Sequence, residues 1–382
     1  MSGRSRAVLV VLCALLASVG LWLRYSGVLN PPPEAPIVQP DDELPLPGIP
    51  LDDGHSVGPG VSVGNLTVFP VYAKTPEDVG EFMTLAKAIE ESKAEVREVG
   101  EGGTVNTLVI ENKSTDASIL ILAGTIVKGG KQDRQIGEDV VVAPGQTTNV
   151  AAFCVEQGRW NGQREGTATN GKFEAKEMLA VGKVRAAGQY EKDQSQVWSN
   201  VSKVNEANMK AAPSQTLLAS LDDAALGKER ERIVEDAAAA FEKVEQPGRV
   251  VGLAYAVGGE VKGARWFAGR KLFALHRPTL LNTAAMEAIT ARAQVRPDAE
   301  RAPVAEAKAE AVVAFVRSMD ATKVAEERTR ETELKAYRVA PEGYASEVWL
   351  PAPKTPAGGP PSPTGTAAPS SSAFVTKDFF KK

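Results

Sequence analysis

Histidine and cysteine are scarce, with two of each in 382 residues. They form no H-x-x-x-H, no C-x-x-C and no histidine cluster, so the sequence offers no zinc site. His55 stands in a proline-rich stretch with no other ligand type beside it, which leaves His276 as the histidine of the folded sequence. Without a G-x-S-x-G motif a serine triad has no parts, and a Cys154–His276 dyad is the one nucleophile–base pair the composition permits. An excess of positive charge is also missing. The 44 Lys and Arg are scattered against 48 Asp and Glu, for a net charge of -4. No basic footprint for a phosphate backbone results, and nucleic-acid binding is not expected. No dinucleotide fingerprint occurs, and no cofactor or metal is expected.

What is present begins at the N-terminus. Arg4 and Arg6 precede AVLVVLCALLASVGLWL, residues 7–23, which carry no charge. Residues 1–25 therefore read as a signal anchor, with a cleaved signal peptide as the alternative, and the leading arginines favour the N-in orientation. The expectation is a membrane-anchored or secreted chain that meets the membrane through residues 7–23 and keeps everything after Arg24 outside the cytoplasm. Cys13 falls inside this apolar run, so Cys154 has no disulfide partner in its own chain and reads as a small buried hydrophobe. Residues 26–62 (NPPPEAPIVQPDDELPLPGIPLDDG and its flanks) are proline-rich and acidic, an extended spacer.

Folded sequence is expected over 63–350, as an α+β domain with a β-rich N-terminal half, sheet or sandwich, followed by helices and a β-hairpin. Over 65–160, β-branched runs alternate with Gly, Asn, Asp and Pro-Gly turns, and Pro144-Gly145 suits a hairpin between the last two runs. Thr75-Pro76-Glu77-Asp78 carries start signals for a helix running on through Ile89. Residues 172–246 are helical, with Ser220 as a cap for the clearest helix. Residues 248–350 hold a hairpin turning at Gly258-Gly259, a helix starting near Asn282-Thr283, and an Ala/Glu/Lys-rich helix over about 302–337. Residues 351–372 are a Pro/Ser/Gly-rich insertion that cannot bury a core, and 373–382 can add a terminal strand.

Two stretches carry candidate chemistry. In GTIVKGGKQDRQ the spacing fails as a phosphate loop, because Lys131 is followed by Gln132 where a hydroxyl is needed to hold Mg²⁺. What survives is a Gly-Gly turn whose backbone can approach a ligand, with Lys131, Gln132 and Arg134 as donors to an anion; a solvated hairpin loop is the plainer reading. In CVEQGRW, Glu156 can pair with Arg159 while Trp160 covers the edge of the core. Alternatively Arg159 grips a carboxylate or phosphate, Glu156 orients it or serves as the sole plausible general base, and Trp160 stacks a flat ring, with Gln157 beside them.

Taken in order, NLTVFPVYA, EVREV, LVIENKS, LAGTIVKGGKQDRQ, VVVAPGQTTNVAAFCVEQGRW, QSQVW and VGLAYAVGGEVKGARWF resemble the ARPP-1 family, the ARG and Rhodanese-Phosphatase-superfamily-associated Protein domain. The resemblance covers most of residues 64–295 and returns at GYASEVWL and AFVTKDFF. It implies no assigned activity, and by association alone it points to nucleotide- or ADP-ribose-linked chemistry. Its motif words single out Gly130, Lys131, Gln132 and Arg134, then Cys154, Glu156, Gln157, Arg159 and Trp160, with Gln196 and Trp198 as a third group. Export separates this chain from the intracellular ADP-ribose pool. The functional expectation is therefore a site for a small anionic ligand, nucleotide-like ligands included, formed by Lys131, Gln132, Arg134, Glu156, Gln157, Arg159 and Trp160. The alternative is a cell-envelope interaction or structural module, and the sequence names no protein partner for it.

Overall fold

The computed structural model describes residues 44–100, 106–164, 166–294, 306–351 and 372–382. The expected membrane segment, residues 26–43 of the spacer and most of the insertion lie outside them. The fold is mixed α+β with a β-rich N-terminal half, followed by helices and then C-terminal strands.

An antiparallel ten-stranded sheet forms the spine. Its order is Ile49–Pro50, His55–Val57, Leu66–Ala73, Val250–Val257, Glu260–Phe267, Ala373–Lys381, Gly343–Leu350, Leu334–Val339 and Val324–Thr329, with Val61–Val63 also paired to Leu66–Ala73. Leu66–Ala73 shows how sequence dictates placement. Leu66, Val68 and Tyr72 alternate with Phe69, Val71 and Ala73, and both sets are apolar, so the strand must be covered on both faces. Helices Ala224–Phe241 and Arg270–Gln294 cover the first set through Ile233, Phe241, Phe273 and Leu281. Helix Ala309–Asp320 covers the second through Val312, Phe315 and Met319. Ala373–Lys381 is an inner strand held between Glu260–Phe267 and Gly343–Leu350. There Phe379 stacks on Trp266 with 5.0 Å between ring centres.

The β-rich half adds two further sheets. A six-stranded antiparallel sheet runs Phe173–Leu179, Thr125–Gly129, Arg134–Ile136, Thr147–Cys154, Thr107–Asn112 and Ala94–Glu98. A three-stranded sheet runs Val140–Val142, Ser118–Ile121 and Phe82–Met83, the last pair parallel. Leu108, Ile110, Ile119, Ile121, Ile136, Val142 and Val150 make their shared core.

Several expectations are corrected. Residues 44–62, read as spacer, contribute three short strands to the large sheet. Thr75–Asp78 opens no helix: Glu77 N–H is taken by Ala268 O at 2.8 Å, and the helix is Leu85–Glu90, capped by Thr84. Val140–Val142 and Thr147–Cys154 flank Pro144-Gly145 but pair into different sheets. The helix expected near Asn282 begins at Arg270 and runs through Pro278. The long helix expected over 302–337 stops at Asp320, and two strands follow it. Asp223, not Ser220, caps helix Ala224–Phe241.

Candidate functional site

The two motif words meet because their strands pair: Arg134 lies opposite Cys154 in the register of the six-stranded sheet. The chain enters the first word through Gly129 and Gly130, at φ +131 and +48. A Cβ on Gly129 would sit 2.2 Å from Lys172 O, and one on Gly130 2.1 Å from the Phe173 ring. Glycine is required at both.

Behind this turn is a closed ionic clamp. Arg159 donates through Nε to both oxygens of Glu156 at 3.0 Å, and through Nη2 to Oε2 at 2.8 Å. Nη2 also reaches Gly129 O at 3.1 Å, while Nη1 donates to Gly130 O at 2.9 Å and Asn161 O at 3.1 Å. Glu156 further accepts from the backbone N–H of Asp133 at 2.9 Å. Asp133, fully buried, takes Arg164 Nη1 at 2.6 Å, Thr216 Oγ1 at 2.8 Å and Gly129 N–H at 3.1 Å, with Arg159 Nη2 at 3.5 Å. Burial opposes the charge of Glu156. The hydrogen bonds from Arg159, Ser214 and Asp133 N–H outweigh it and hold the carboxyl below its ordinary range. Glu156 is thus an ionised, buried partner of Arg159, whose polar groups are directed inward.

The other expected residues surround this clamp. Arg134 is fully buried, donates to Gln132 O at 3.2 Å and lies 3.7 Å from Glu98. Gln132 is buried and donates to Gln157 O at 3.4 Å. Lys131 is half-buried, and its backbone N–H reaches Glu98 at 3.2 Å. Gln157 is exposed, and Trp160 is 44% exposed with the Lys131 and Arg134 cations 5.6 and 5.3 Å from its ring. The seven residues converge, mainly on one another. Sequence reasoning missed Asp133, on which the clamp turns.

Cys154 is buried, and burial pushes its thiol up. Its backbone N–H and C=O are both held at 2.8 Å by the Gln194 side-chain amide. His276 stacks on Phe267 under the large sheet, where burial pushes its pKa down to about 3. Cys154 thus lies on a strand of the six-stranded sheet, and His276 on helix Arg270–Gln294 against the large one. In the third group, Gln196 is exposed at the start of helix Gln194–Ala207, and Trp198 is half-buried. No group of three metal-ligating side chains occurs among the described residues. Nor is any helix among them long and apolar enough to cross a membrane.

A second place is a cavity of about 400 Å³. Helices Gly182–Ala186, Gln194–Ala207 and Arg270–Gln294 meet there the ends of the strands Val250–Val257, Glu260–Phe267 and Ala373–Lys381. Five lysines, at 183, 203, 262, 381 and 382, line it against two carboxylates, Glu260 and Glu287. Lys262 pairs with Glu260 at 2.6 Å, and Lys382 donates to Ala340 O at 2.8 Å. Lys203 makes a long bond, 3.4 Å, to Asn200 Oδ1. The side chains of Lys183 and Lys381 have no hydrogen bond or ion pair among the described residues, although their charges reach Glu260. Val204, Val257 and Phe380 supply apolar wall. No local motif announces this cavity, because its lysines come from four separate parts of the chain.

Comparison with the curated proteins and with the solved structures gives no match in either set. The family model of the ARG and Rhodanese-Phosphatase-superfamily-associated Protein domain matches residues 54–351, and the chain belongs to this ARPP-1 family.

Proposed function

We propose that this is an exported, membrane-tethered binding domain for a small anionic ligand, nucleotide-like ligands included, and that the ligand occupies the lysine-lined cavity. One observation carries the reading: five lysines line a single cavity that holds two carboxylates. Ammonium groups gathered in a concave, partly apolar site focus a positive potential into it, and a bound anion relieves their mutual repulsion. Export and tethering rest on the charge pattern of residues 1–25. The Glu156–Arg159 clamp serves as scaffold, since its polar atoms are already matched. In a thermal-shift screen of anionic metabolites, wild type and Trp160→Ala should respond alike, and Lys183→Ala/Lys203→Ala should lose the response. Shifts that survive in the lysine variant, or vanish only in Trp160→Ala, would move the ligand to the clamp face.

The alternative, an envelope interaction module, draws on one observation of its own: Trp160 stands 44% exposed above a rigid base. Exposed aromatics on such bases are common anchors of protein interfaces. A photo-crosslinker at position 160, compared with one at Met209, tests it; no partner specific to position 160 would remove it.

A further inference from the structure

Resting on the anion reading of the lysine cavity, we propose that Glu287 is its specificity-determining residue: the cavity takes an oxyanion together with one proton, which Glu287 carries and donates to an oxygen of that anion. Glu287 lies on helix Arg270–Gln294 and forms part of the cavity wall. Its Oε1 accepts the backbone N–H of Gly182 at 2.8 Å, and the Tyr255 hydroxyl bonds the same carboxyl. The carboxyl is therefore held in place in a cavity that the lysines also line.

Every element packed around it brings charge. Helix Gly182–Ala186 brings Lys183 and Arg185, and helix Gln194–Ala207 brings Lys203. Strand Val250–Val257 brings Tyr255, strand Glu260–Phe267 brings Glu260 and Lys262, and strand Ala373–Lys381 brings Lys381, with Lys382 beyond it. The two carboxylates behave oppositely in this setting. Lys262 hydrogen-bonds Glu260 and holds it below the ordinary carboxylate range. For Glu287 burial is the largest influence, and it raises the carboxyl despite the Gly182 and Tyr255 hydrogen bonds and the charges of Arg185 and Lys262. Tyr255 is itself pushed far up by burial and so stays a donor.

An anion entering the cavity adds negative charge beside Glu287 and favours its protonated form further. Protonation replaces repulsion by an O–H donor aimed at the ligand. The proton comes from solvent, and only hydrogen bonds form. The favoured class is an anion with exposed oxygens: phosphate, sulfate or carboxylate. A phosphate group could belong to a free phosphomonoester or to a lipid headgroup, and the chemistry at Glu287 is the same for both.

The test uses the full chain in a nonionic detergent, titrated calorimetrically with inorganic sulfate, whose charge is constant between about pH 5 and 8. Kd should fall as the pH is lowered, by up to about tenfold per unit where Glu287 changes state, and close to one proton should be taken up per sulfate, measured in two buffers of different ionisation enthalpy. Glu287→Gln keeps the shape and an N–H donor without a titrating proton. It should flatten the pH profile, abolish proton uptake and bind at neutral pH about as well as wild type does in acid. Lys203→Ala should weaken binding at every pH and leave the proton count unchanged. Sulfate binding without proton uptake in wild type overturns the role of Glu287 and leaves the anion reading standing, and this result does not depend on how well the variant folds. If sulfate, glycerol 3-phosphate and a short-chain phosphatidic acid all fail to bind at every pH, both fall. Preference between the last two assigns a phosphate ligand to the free or the lipid source.

Discussion

Arg159 and Glu156, three residues apart in one turn, are joined by three hydrogen bonds of 2.8 to 3.0 Å, and the rest of the guanidinium closes on the carbonyls of Gly129, Gly130 and Asn161. One side chain thus fastens the CVEQGRW turn to the Gly-Gly turn of the neighbouring word. Removing it leaves buried Glu156 without its counter-charge, while Asp133 keeps Arg164 and Thr216. Arg159→Ala should cost about 3–5 kcal/mol of stability in urea unfolding. Arg159→Lys should recover little of it, because an ammonium cannot copy the fork. Trp160→Ala, at an exposed ring, should cost about 1 kcal/mol or less.

The Gly-Gly turn should tolerate no side chain. Gly129→Ala places a methyl 2.2 Å from a carbonyl oxygen, and Gly130→Ala places one 2.1 Å from the Phe173 ring, both at positive φ. Each should lower the thermal midpoint markedly. Gly145→Ala, at φ +69 with open space around it, bears the backbone strain alone and should cost about 1 kcal/mol. Equal losses at all three would contradict the packing described.

His276 should shape the acid limit of the fold. Burial pushes its native pKa down to about 3, whereas in the unfolded chain it titrates near its ordinary value of 6.5. Below that value the unfolded state binds a proton that the native state refuses. Stability from this residue is therefore complete above pH 6.5 and is lost as pH falls towards 3, by up to about 1.4 kcal/mol per unit. His276→Phe, which keeps the ring stack on Phe267, should flatten the stability profile between pH 6 and 4 by close to one proton. An unchanged slope would place the acid sensitivity elsewhere.

Arg265 ties the large sheet to the β-rich half. It binds Asp378 of the inner strand at 3.0 and 3.1 Å and Asp139 of the β-rich half at 2.9 Å, all buried. Arg265→Met should destabilise by about 3–5 kcal/mol, and Asp139→Asn/Arg265→Met together by less than the sum, because the two share one pair. Additive losses would show that Arg265 and Asp139 are not coupled.

What could be read from the sequence was local. The hairpin at Gly258-Gly259 follows from alternating apolar residues around two glycines, and both adopt positive φ. The Glu156–Arg159 pair was readable as one of two alternatives because its partners are three residues apart. Asp133 was not readable, since Arg164, Thr216 and Gly129 reach it from three places. Ser220 looked like a helix cap, but its hydroxyl is committed to Asn205 at 2.7 Å, and Asp223 caps instead. VAEERT at 324–329 carries helix-favouring residues and lies at the edge of a sheet, where pairing with Leu334–Val339 overrides propensity. The lysine cavity was invisible for the same reason as Asp133: only tertiary structure brings its residues together.

Strand Ala373–Lys381 separates two parts of the large sheet that are made long before it. Until residue 381 has left the ribosome, Glu260–Phe267 and Gly343–Leu350 each present a bare edge, and Trp266 lacks the ring it stacks on. Until that strand is present the spine stays open, and a chain paused short of it holds two open edges able to pair with each other or with a neighbouring chain. The large sheet is thus completed only after strand Ala373–Lys381 has been made, when all its other strands already exist.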